Sequence, residues 1–388
     1  MTALAVRPVR GLLWRYATAT TLIVMAFAMT GPVLAVLLQQ RGHSTSTVGA
    51  FAMVPFLLVG LLIPVMPRVL ARWGVVRVYR AGALLQLAGA LVYPNTDVLA
   101  AWVGAAVLNG AGAAALWNAT ESLLAREAPP DKRGRVMGLY QTALGAALAL
   151  GPFMPALLGT GANEVLWAGA AAVAVCCAIA FGVPVRATRE PQAQAQSGTW
   201  HALRDVPLLA FMAFAGGVFE AGLSSVSAAH AAGLGLSLSA AASVAGAIGV
   251  GSFLCQYPAG WASDHFRLGT IFRGAALLLL GASAALAFAG KAPWLLWAVG
   301  WIWGGVGGAL YTLSIIRVAH VFAGRPTAGG TAAVITGYTM GGMAGPLASG
   351  AMLDVGGVPA LAALLSALAI AAFAASRGAA MQASAESA

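Results

Sequence analysis

The chain has 388 residues, of which 60% are hydrophobic and only 8% are charged, and its net charge is +10. Soluble globular domains are about one quarter charged, so this composition excludes a water-soluble protein and indicates a membrane protein. A membrane-spanning helix needs roughly 20 apolar residues in a row. Twelve such spans are predicted, at residues 12–38, 48–70, 78–93, 98–124, 136–159, 165–185, 206–232, 238–262, 270–289, 293–318, 329–353 and 358–375.

The cations indicate how the chain crosses the membrane. If the N-terminus is cytoplasmic, 19 of the 21 Lys and Arg residues fall in inside segments, and only Arg41 and Lys291 fall outside. Cytoplasmic loops of membrane proteins are enriched in Lys and Arg, so both termini are predicted to be cytoplasmic in a bacterial inner membrane. A nucleic-acid partner is not expected, because these charges are divided among short loops and form no continuous stripe.

The two halves of the chain resemble each other. Residues 186–205 are predicted to be a cytoplasmic linker between an N-terminal six-helix bundle (1–185) and a C-terminal six-helix bundle (206–388). RAGALLQLAGAL from Arg80 parallels RGAALLLLGASAAL from Arg273, and the two Gly-Pro pairs that begin at Gly151 and Gly345 are 194 residues apart. Parallel repeats of this kind are typical of transporters that bind substrate between the repeats near the bilayer midplane.

Several segments resemble the major facilitator superfamily. PPDKRGRVMGLYQTALGAALALGP (129–152) is similar to its loop and fifth helix, and GWASDHFRLG (260–269) to its loop signature. The N-terminal counterpart of that signature, PRVLARWGVVR (67–77), has Ala71 where the family usually has an acid. GAGAAALWNATESLL (110–124) further resembles an uncharacterised bacterial branch near the drug:proton antiporters. The resemblance implies an all-α fold of twelve helices in two pseudo-symmetric bundles, working as a secondary transporter by alternating access.

Glu220 lies in the middle of the seventh span, in AGGVFEAGLSSVS (215–227). Ionisable residues inside a membrane are costly and normally face a cavity or a partner. Steps of three and four residues place Glu220, Ser224 and Ser227 on one helix face, as expected for a face that lines water. Glu220 is therefore the candidate proton-coupling residue, and the alternative is a carboxyl group that only holds neighbouring helices together.

Other charged residues are candidates for a gate or for structural ion pairs. Glu121 lies near the cytoplasmic end of its helix and shares a face with Trp117. A proton site is the alternative role for this acid. By resemblance, Asp264 would help to hold the cytoplasmic ends of the halves together; the alternative is a solvated acid that caps the next helix. The full set of gate candidates is Glu121, Asp264, Arg72, Arg77, Arg133 and Arg317.

Polar and aromatic residues within the spans are candidates for the substrate cavity. Hydrogen bonding between helices is the alternative role for each of them. The candidates are Asn109, Tyr140, Gln141, Ser224, Trp301, Tyr311 and Tyr338. Helix kinks are expected at Gly151-Pro152 and Gly345-Pro346, because proline removes a backbone donor inside a helix. The first pair partly resembles the antiporter motif of the fifth helix, which favours efflux.

No enzyme signature is present in the sequence. The five histidines have no metal-ligand spacing, and no phosphate-binding GxxxxGK[ST] stretch occurs, so no metal, cofactor or ATP-driven step is expected. The sequence predicts a monomeric, proton-coupled antiporter for a small organic solute. The alternatives are a proton symporter or facilitated importer and, from another class, a membrane-embedded enzyme or a receptor.

Overall fold

The computed structural model describes residues 7–127, 133–159, 161–182, 204, 206–321 and 328–381. These residues form helices and short turns, with no strand among them. The predicted linker at 186–205 lies outside the described residues except for Arg204. The all-α fold class expected from the apolar composition is confirmed.

The helices of the first half follow the predicted order. Their bounds are α1 Arg7–Gln40, α2 Thr45–Leu62, α3 Met66–Trp73, α4 Val75–Val92, α5 Leu99–Glu127, α6 Arg133–Leu150, α7 Met154–Leu158 and α8 Ala162–Phe181. The second span was predicted to run to Leu70 and is shorter, because α2 ends at Leu62. Pro64, two residues later, has no N–H to continue the helix, so the arginine-bearing segment after it forms the separate helix α3.

The helices of the second half range from 11 to 54 residues. Their bounds are α9 Pro207–Gly217, α10 Leu223–Gly233, α11 Leu238–His265, α12 Leu268–Ala285, α13 Leu295–Val321 and α14 Ala328–Met381. The eighth span was predicted to end at Ala262, but α11 continues to His265. Asp264 therefore lies in the last turn of a helix rather than in a loop.

Eleven helical stretches among the described residues are long and apolar enough to cross a membrane. The last of them, Gly330–Gly378, has 49 residues. At about 1.5 Å per residue it is more than twice as long as the ~30 Å bilayer core is thick. Gly357 interrupts it with φ 63° and ψ −154°, which is not a helical conformation. The stretch therefore consists of two helical segments, which brings the number of spans to the predicted twelve.

The contacts divide the chain into two compact units. The first comprises residues 1–30 and 54–194, and the second comprises 31–53 and 195–388. In the first unit the core includes Tyr16 and Tyr79, whose rings meet edge to face at 4.4 Å. In the second unit the core includes Phe219 and Trp303, with ring centroids 6.3 Å apart.

Equivalent glycines pack in equivalent places within each unit. A Cβ atom at Gly151 would lie 2.6 Å from Ala28 Cβ, and one at Gly345 would lie 2.9 Å from Gly222 Cα and 3.1 Å from Val218 Cα. Ala28 and Gly222 are themselves 194 residues apart, as are the two glycines. The same sequence repeat thus produces the same close helix contact in both units, since small residues let membrane helices approach each other closely.

Candidate functional site

Glu220 lies at the centre of its span, thirteen residues from each end of the stretch Pro207–Gly233. Helices α9 and α10 are joined there by a π-helical turn, Val218–Gly222, of which Glu220 is the middle residue. π turns inside α-helices are rare and are frequent at functional sites. The sequence did not predict this turn, which widens the helix at the position of the carboxylate.

Two hydroxyl groups from different helices bind the Glu220 carboxylate. Ser252 Oγ on α11 donates to Oε1, and Tyr338 OH on α14 donates to Oε2 at 3.0 Å. Two further side chains extend this group. Gln256 Nε2 donates to Ser252 Oγ at 3.4 Å. The Tyr311 ring lies 4.8 Å from the Tyr338 ring. The site therefore joins side chains from four spans of the second unit.

Glycines on α13 leave room for this carboxylate. A Cβ atom at Gly308 would lie 3.3 Å from Glu220 Oε1, and one at Gly307 would lie 3.2 Å from Glu220 Cβ. Any larger side chain at these positions would crowd the acid. The Gly307-Gly308 pair thus forms the wall of the site on α13, and a Cβ atom at Gly308 would also lie 2.8 Å from Ser252 Oγ.

Close backbone contacts between α9 and α14 set the position of Tyr338. A Cβ atom at Gly337 would lie 2.2 Å from Ala210 O, and one at Gly341 would lie 2.1 Å from Phe214 O. On the opposite helix, a Cβ atom at Gly217 would lie 2.1 Å from Tyr338 O. Glycine at these three positions lets the two helices touch, which brings the tyrosine within reach of Glu220.

The two partners of Glu220 are hydroxyl groups and not cations. Within the described ranges, no Lys, Arg or His side chain forms an ion pair with this carboxylate. A hydroxyl group donates a hydrogen bond to a carboxylate and accepts one from a protonated carboxyl group. The same two partners can therefore hold Glu220 in either protonation state.

The remaining cavity candidates of the second unit lie in different surroundings. Ser224 is half-buried, one turn beyond Glu220 on the same span. Trp301 has 43% of its surface exposed, while Trp303 is buried, and its indole N–H donates to Ser283 Oγ at 3.4 Å. Of the residues predicted for the substrate cavity, the structure thus brings Tyr311 and Tyr338 into the Glu220 cluster.

The cavity candidates of the first unit are not joined in one cluster. Asn109 bridges helices, since its Nδ2 donates to Tyr93 OH at 3.2 Å and its backbone oxygen accepts from Gln86 Nε2 at 2.9 Å. Tyr140 is buried and its hydroxyl has no hydrogen-bond partner in the part of the chain that is described. Gln141, the next residue, is exposed.

The gate candidates differ in their surroundings. Glu121 Oε1 accepts a hydrogen bond from the indole N–H of Trp117, which lies on the same helix face, at 2.6 Å. Asp264 is exposed, and so are Arg72 and Arg77, whereas Arg317 is half-buried. The side chain of Arg133 is not among those described.

The two Gly-Pro pairs differ in local structure. Gly151–Phe153 forms a 3₁₀ turn that separates α6 from α7. Pro346, in contrast, lies inside α14 without a break at that point. The expected interruption is therefore present as a change of helix type at the first pair, while the second pair is accommodated within one helix.

Sequence reasoning missed the residues that complete the acid site. Ser252 and Gln256 were not among the candidates, because serine and glutamine in an apolar span have no distinctive spacing. One available signal is depth, since Ser252 lies near the middle of the stretch Leu238–His265 just as Glu220 lies at the middle of its own. Polar residues at equal depth on neighbouring spans are able to meet.

Known transporters match this chain over most of its length. A family model of the Major Facilitator Superfamily matches residues 16–254, which is more than half of the chain. The uncharacterized MFS-type transporter YfkF of Bacillus subtilis (strain 168) is 22% identical over 328 residues, which are 82% of this chain and 83% of that protein.

Solved structures of transporters share the fold. A variant of the nucleoside transporter NupG aligns with a TM-score of 0.79 at 11% identity, over 95% of this chain and 99% of the other. The D-xylose-proton symporter aligns with a TM-score of 0.71 at 12% identity, over 93% and 97%. A bacterial homolog of the human lysosomal transporter Spinster gives 0.67 at 16% identity, over 97% and 95%. These likenesses and the family match identify a multi-pass membrane transporter, and the chain belongs to the Major Facilitator Superfamily.

Proposed function

We propose that this transporter exports a small organic solute in exchange for protons, and that Glu220 is the residue that carries the proton. The single observation behind this proposal is the pair of hydroxyl partners, Ser252 and Tyr338, on a carboxylate at mid-membrane depth. A structural ion pair would hold the acid permanently charged, whereas hydroxyl groups allow it to gain and lose a proton. Intramembrane acids are functional by default, which favours the same reading.

The direction of transport rests on a weaker observation. The Gly151-Pro152 pair resembles part of the antiporter motif, and the 3₁₀ turn there marks a special backbone at that position. The alternative is proton symport or facilitated import, and one of the structural neighbours is named a D-xylose-proton symporter. At 12% identity that likeness concerns the fold, so antiport remains the proposal.

Reconstitution into liposomes tests the proposal. The purified full-length protein would be screened against labelled organic solutes under an imposed pH gradient. Antiport predicts that the solute crosses the membrane in the direction opposite to proton flow, whereas symport predicts that both cross in the same direction. Glu220→Gln keeps the size of the side chain but removes the titratable group. We expect it to abolish proton-driven transport while solute exchange across the membrane, without a gradient, continues.

The matched control is Glu164→Gln, which removes a carboxylate from the exposed first turn of α8. We expect this variant to transport like the parent protein. If Glu220→Gln moves solute and protons in the parent ratio, Glu220 is only a structural residue and the proton-coupling proposal is wrong.

The proposed topology places both termini in the cytoplasm of a bacterial inner-membrane monomer, with the linker 186–205 on the same side between two six-helix bundles. Its support is the distribution of 19 of 21 cations on one side. Exposed positions at opposite ends of the spans allow a direct test. In a variant whose three cysteines are replaced, Gln40→Cys should react with an impermeant thiol reagent in intact cells, and Ala71→Cys should react only after lysis.

We further propose that the charges at the cytoplasmic helix ends form a gate between inward and outward states. Asp264, at the exposed end of α11, is its central acid, and Arg133 and Arg317 are candidate partners. Exposed ion pairs are individually weak, which suits a contact that must break in every transport cycle. Asp264→Asn should change the transport rate and the accessibility of introduced cysteines; unchanged values would reduce Asp264 to a solvated helix-end acid.

A further inference from the structure

The carboxylate of Asp354, near the break in α14, binds the beginning of α2. Oδ1 accepts from the Thr45 backbone N–H at 2.9 Å and from Thr45 Oγ1 at 2.6 Å, and Oδ2 accepts from the Ser46 N–H at 2.8 Å. The first N–H groups of a helix have no partner within the helix, and a negative charge beside them is favourable. Asp354 thus supplies, from 308 residues away in the chain, a cap for α2.

Ser44, the residue before α2, completes this cap from within the local sequence. Its Oγ accepts from the Thr47 N–H at 3.2 Å. The local serine satisfies one N–H group, and the distant Asp354 satisfies the two before it. The start of α2 is therefore fully capped only while it stays beside α14.

Backbone contacts hold the same two helices together. A Cβ atom at Gly49 would lie 2.1 Å from Pro346 O, and one at Gly350 would lie 2.2 Å from Thr45 O. Thr45 Oγ1 also lies 2.9 Å from Gly350 O, a second acceptor for its one hydroxyl proton. Glycine at both positions is required for this approach, so the two helix backbones meet directly there.

The compact units divide both α1 and α2. Residues 31–53 pack with the second unit, whereas 7–30 and 54–62 pack with the first. The division in α1 falls beside Pro32, and the division in α2 falls beside Pro55. Proline frees a backbone carbonyl and allows a helix to bend, so each helix has a bend point where its packing partner changes.

We propose that Asp354, Thr45 and Ser46 form a releasable latch, which holds residues 31–53 on the second unit when closed and lets them move with the first unit when open. This inference rests on transport by alternating access but not on the coupling ion. Release is feasible because Asp354 is exposed and water can replace its hydrogen-bond partners, as at any free helix end.

The distance between two spin labels measures the latch directly. Labels at Gln40→Cys and Val355→Cys, both exposed, would report on the separation of the α1–α2 turn from α14 in the full-length protein in lipid nanodiscs. Asp354→Asn loses the charge and one acceptor site. We expect it to raise the population with the longer distance about tenfold, because several exposed hydrogen bonds are weakened together. Thr45→Val removes only the hydroxyl donor and should produce a smaller shift in the same direction.

Glu164→Gln is the control, since it removes one negative charge from an exposed helix start elsewhere in the chain. It should leave the distances unchanged. Unaltered distances in both Asp354→Asn and Thr45→Val, in protein that elutes as a single species, would overturn the latch. The measurement uses neither solute nor proton gradient. Its result therefore tests the latch alone and does not depend on whether Glu220 couples transport to protons.

Discussion

The hydroxyl of Tyr338 donates a hydrogen bond to Oε2 of Glu220 at 3.0 Å, although the two residues are 118 positions apart in the chain. Each residue is isolated in its own apolar span, and only the packing of α9 against α14 brings them together. Glu220 is bound by Tyr338 on α14 and by Ser252 on α11. Its protonation state is therefore linked to the positions of both helices. This relationship leads to the first two predictions.

Tyr338→Phe removes one of the two donors to Glu220 and keeps the aromatic ring. A hydrogen bond to a charged group contributes about 1.5–3 kcal/mol in soluble proteins, and bonds between membrane helices contribute nearer 0.6 kcal/mol. We therefore expect proton-driven transport in liposomes to fall about three- to tenfold. Tyr257→Phe is the control, because Tyr257 is 82% exposed. Equal rates for both variants would mean that the Tyr338 hydroxyl has no part in coupling.

Ser252→Ala removes the other donor, on Oε1. We expect a loss of proton-driven transport of similar size, and a larger loss when it is combined with Tyr338→Phe, because Glu220 then has neither hydroxyl partner. Ser314→Ala is the matched control, since Ser314 is also buried but donates to Leu310 O of its own helix. A Ser252→Ala protein as active as the Ser314→Ala protein would contradict the prediction.

Gly341→Ala tests whether close contact between α9 and α14 positions the site. The added methyl group would lie 2.1 Å from Phe214 O, and backbone atoms cannot move aside as a flexible side chain can. We expect a stability loss of about 1–3 kcal/mol, seen as a lower unfolding temperature in detergent. Gly281→Ala adds the same methyl group where nothing lies within 4 Å and should be neutral or slightly stabilising.

Glu121→Gln distinguishes the two acids that lie within spans. Glu121 accepts from an indole on its own helix, one turn away, so its binding does not link different spans as that of Glu220 does. We expect the variant to keep the parent ratio of protons to solute, with at most a change in rate, whereas Glu220→Gln loses coupling. The ratio would be measured with a pH-sensitive dye and labelled solute; loss of coupling in Glu121→Gln would give this acid a direct role in proton transfer.

Much of the architecture follows from the sequence because the hydrocarbon core of the bilayer offers no hydrogen-bond partners to the backbone. Backbone groups in hydrocarbon must bond within their own segment, so an apolar stretch of sufficient length has to be a helix. Twelve spans and an unusual acid at Glu220 could therefore be recognised locally. The end of the second span could not be recognised in this way, since α2 ends at Leu62, just before Pro64 and eight residues before the predicted end.

The partners of Glu220 could not be recognised in this way. Ser252 lies near the middle of α11, unlike Ser243 and Ser263, but its position along the helix does not show which way the side chain points, because that depends on how α11 is rotated towards α9. The π turn at Val218–Gly222 and the cap that Asp354 provides for α2 likewise depend on neighbours that are remote in the chain. Sequence alone determined that the chain forms membrane-spanning helices and that one of them holds an acid, since hydrophobicity is a local property. Tertiary structure decided what this acid touches, because the rotation and approach of helices are set by glycine contacts between distant segments.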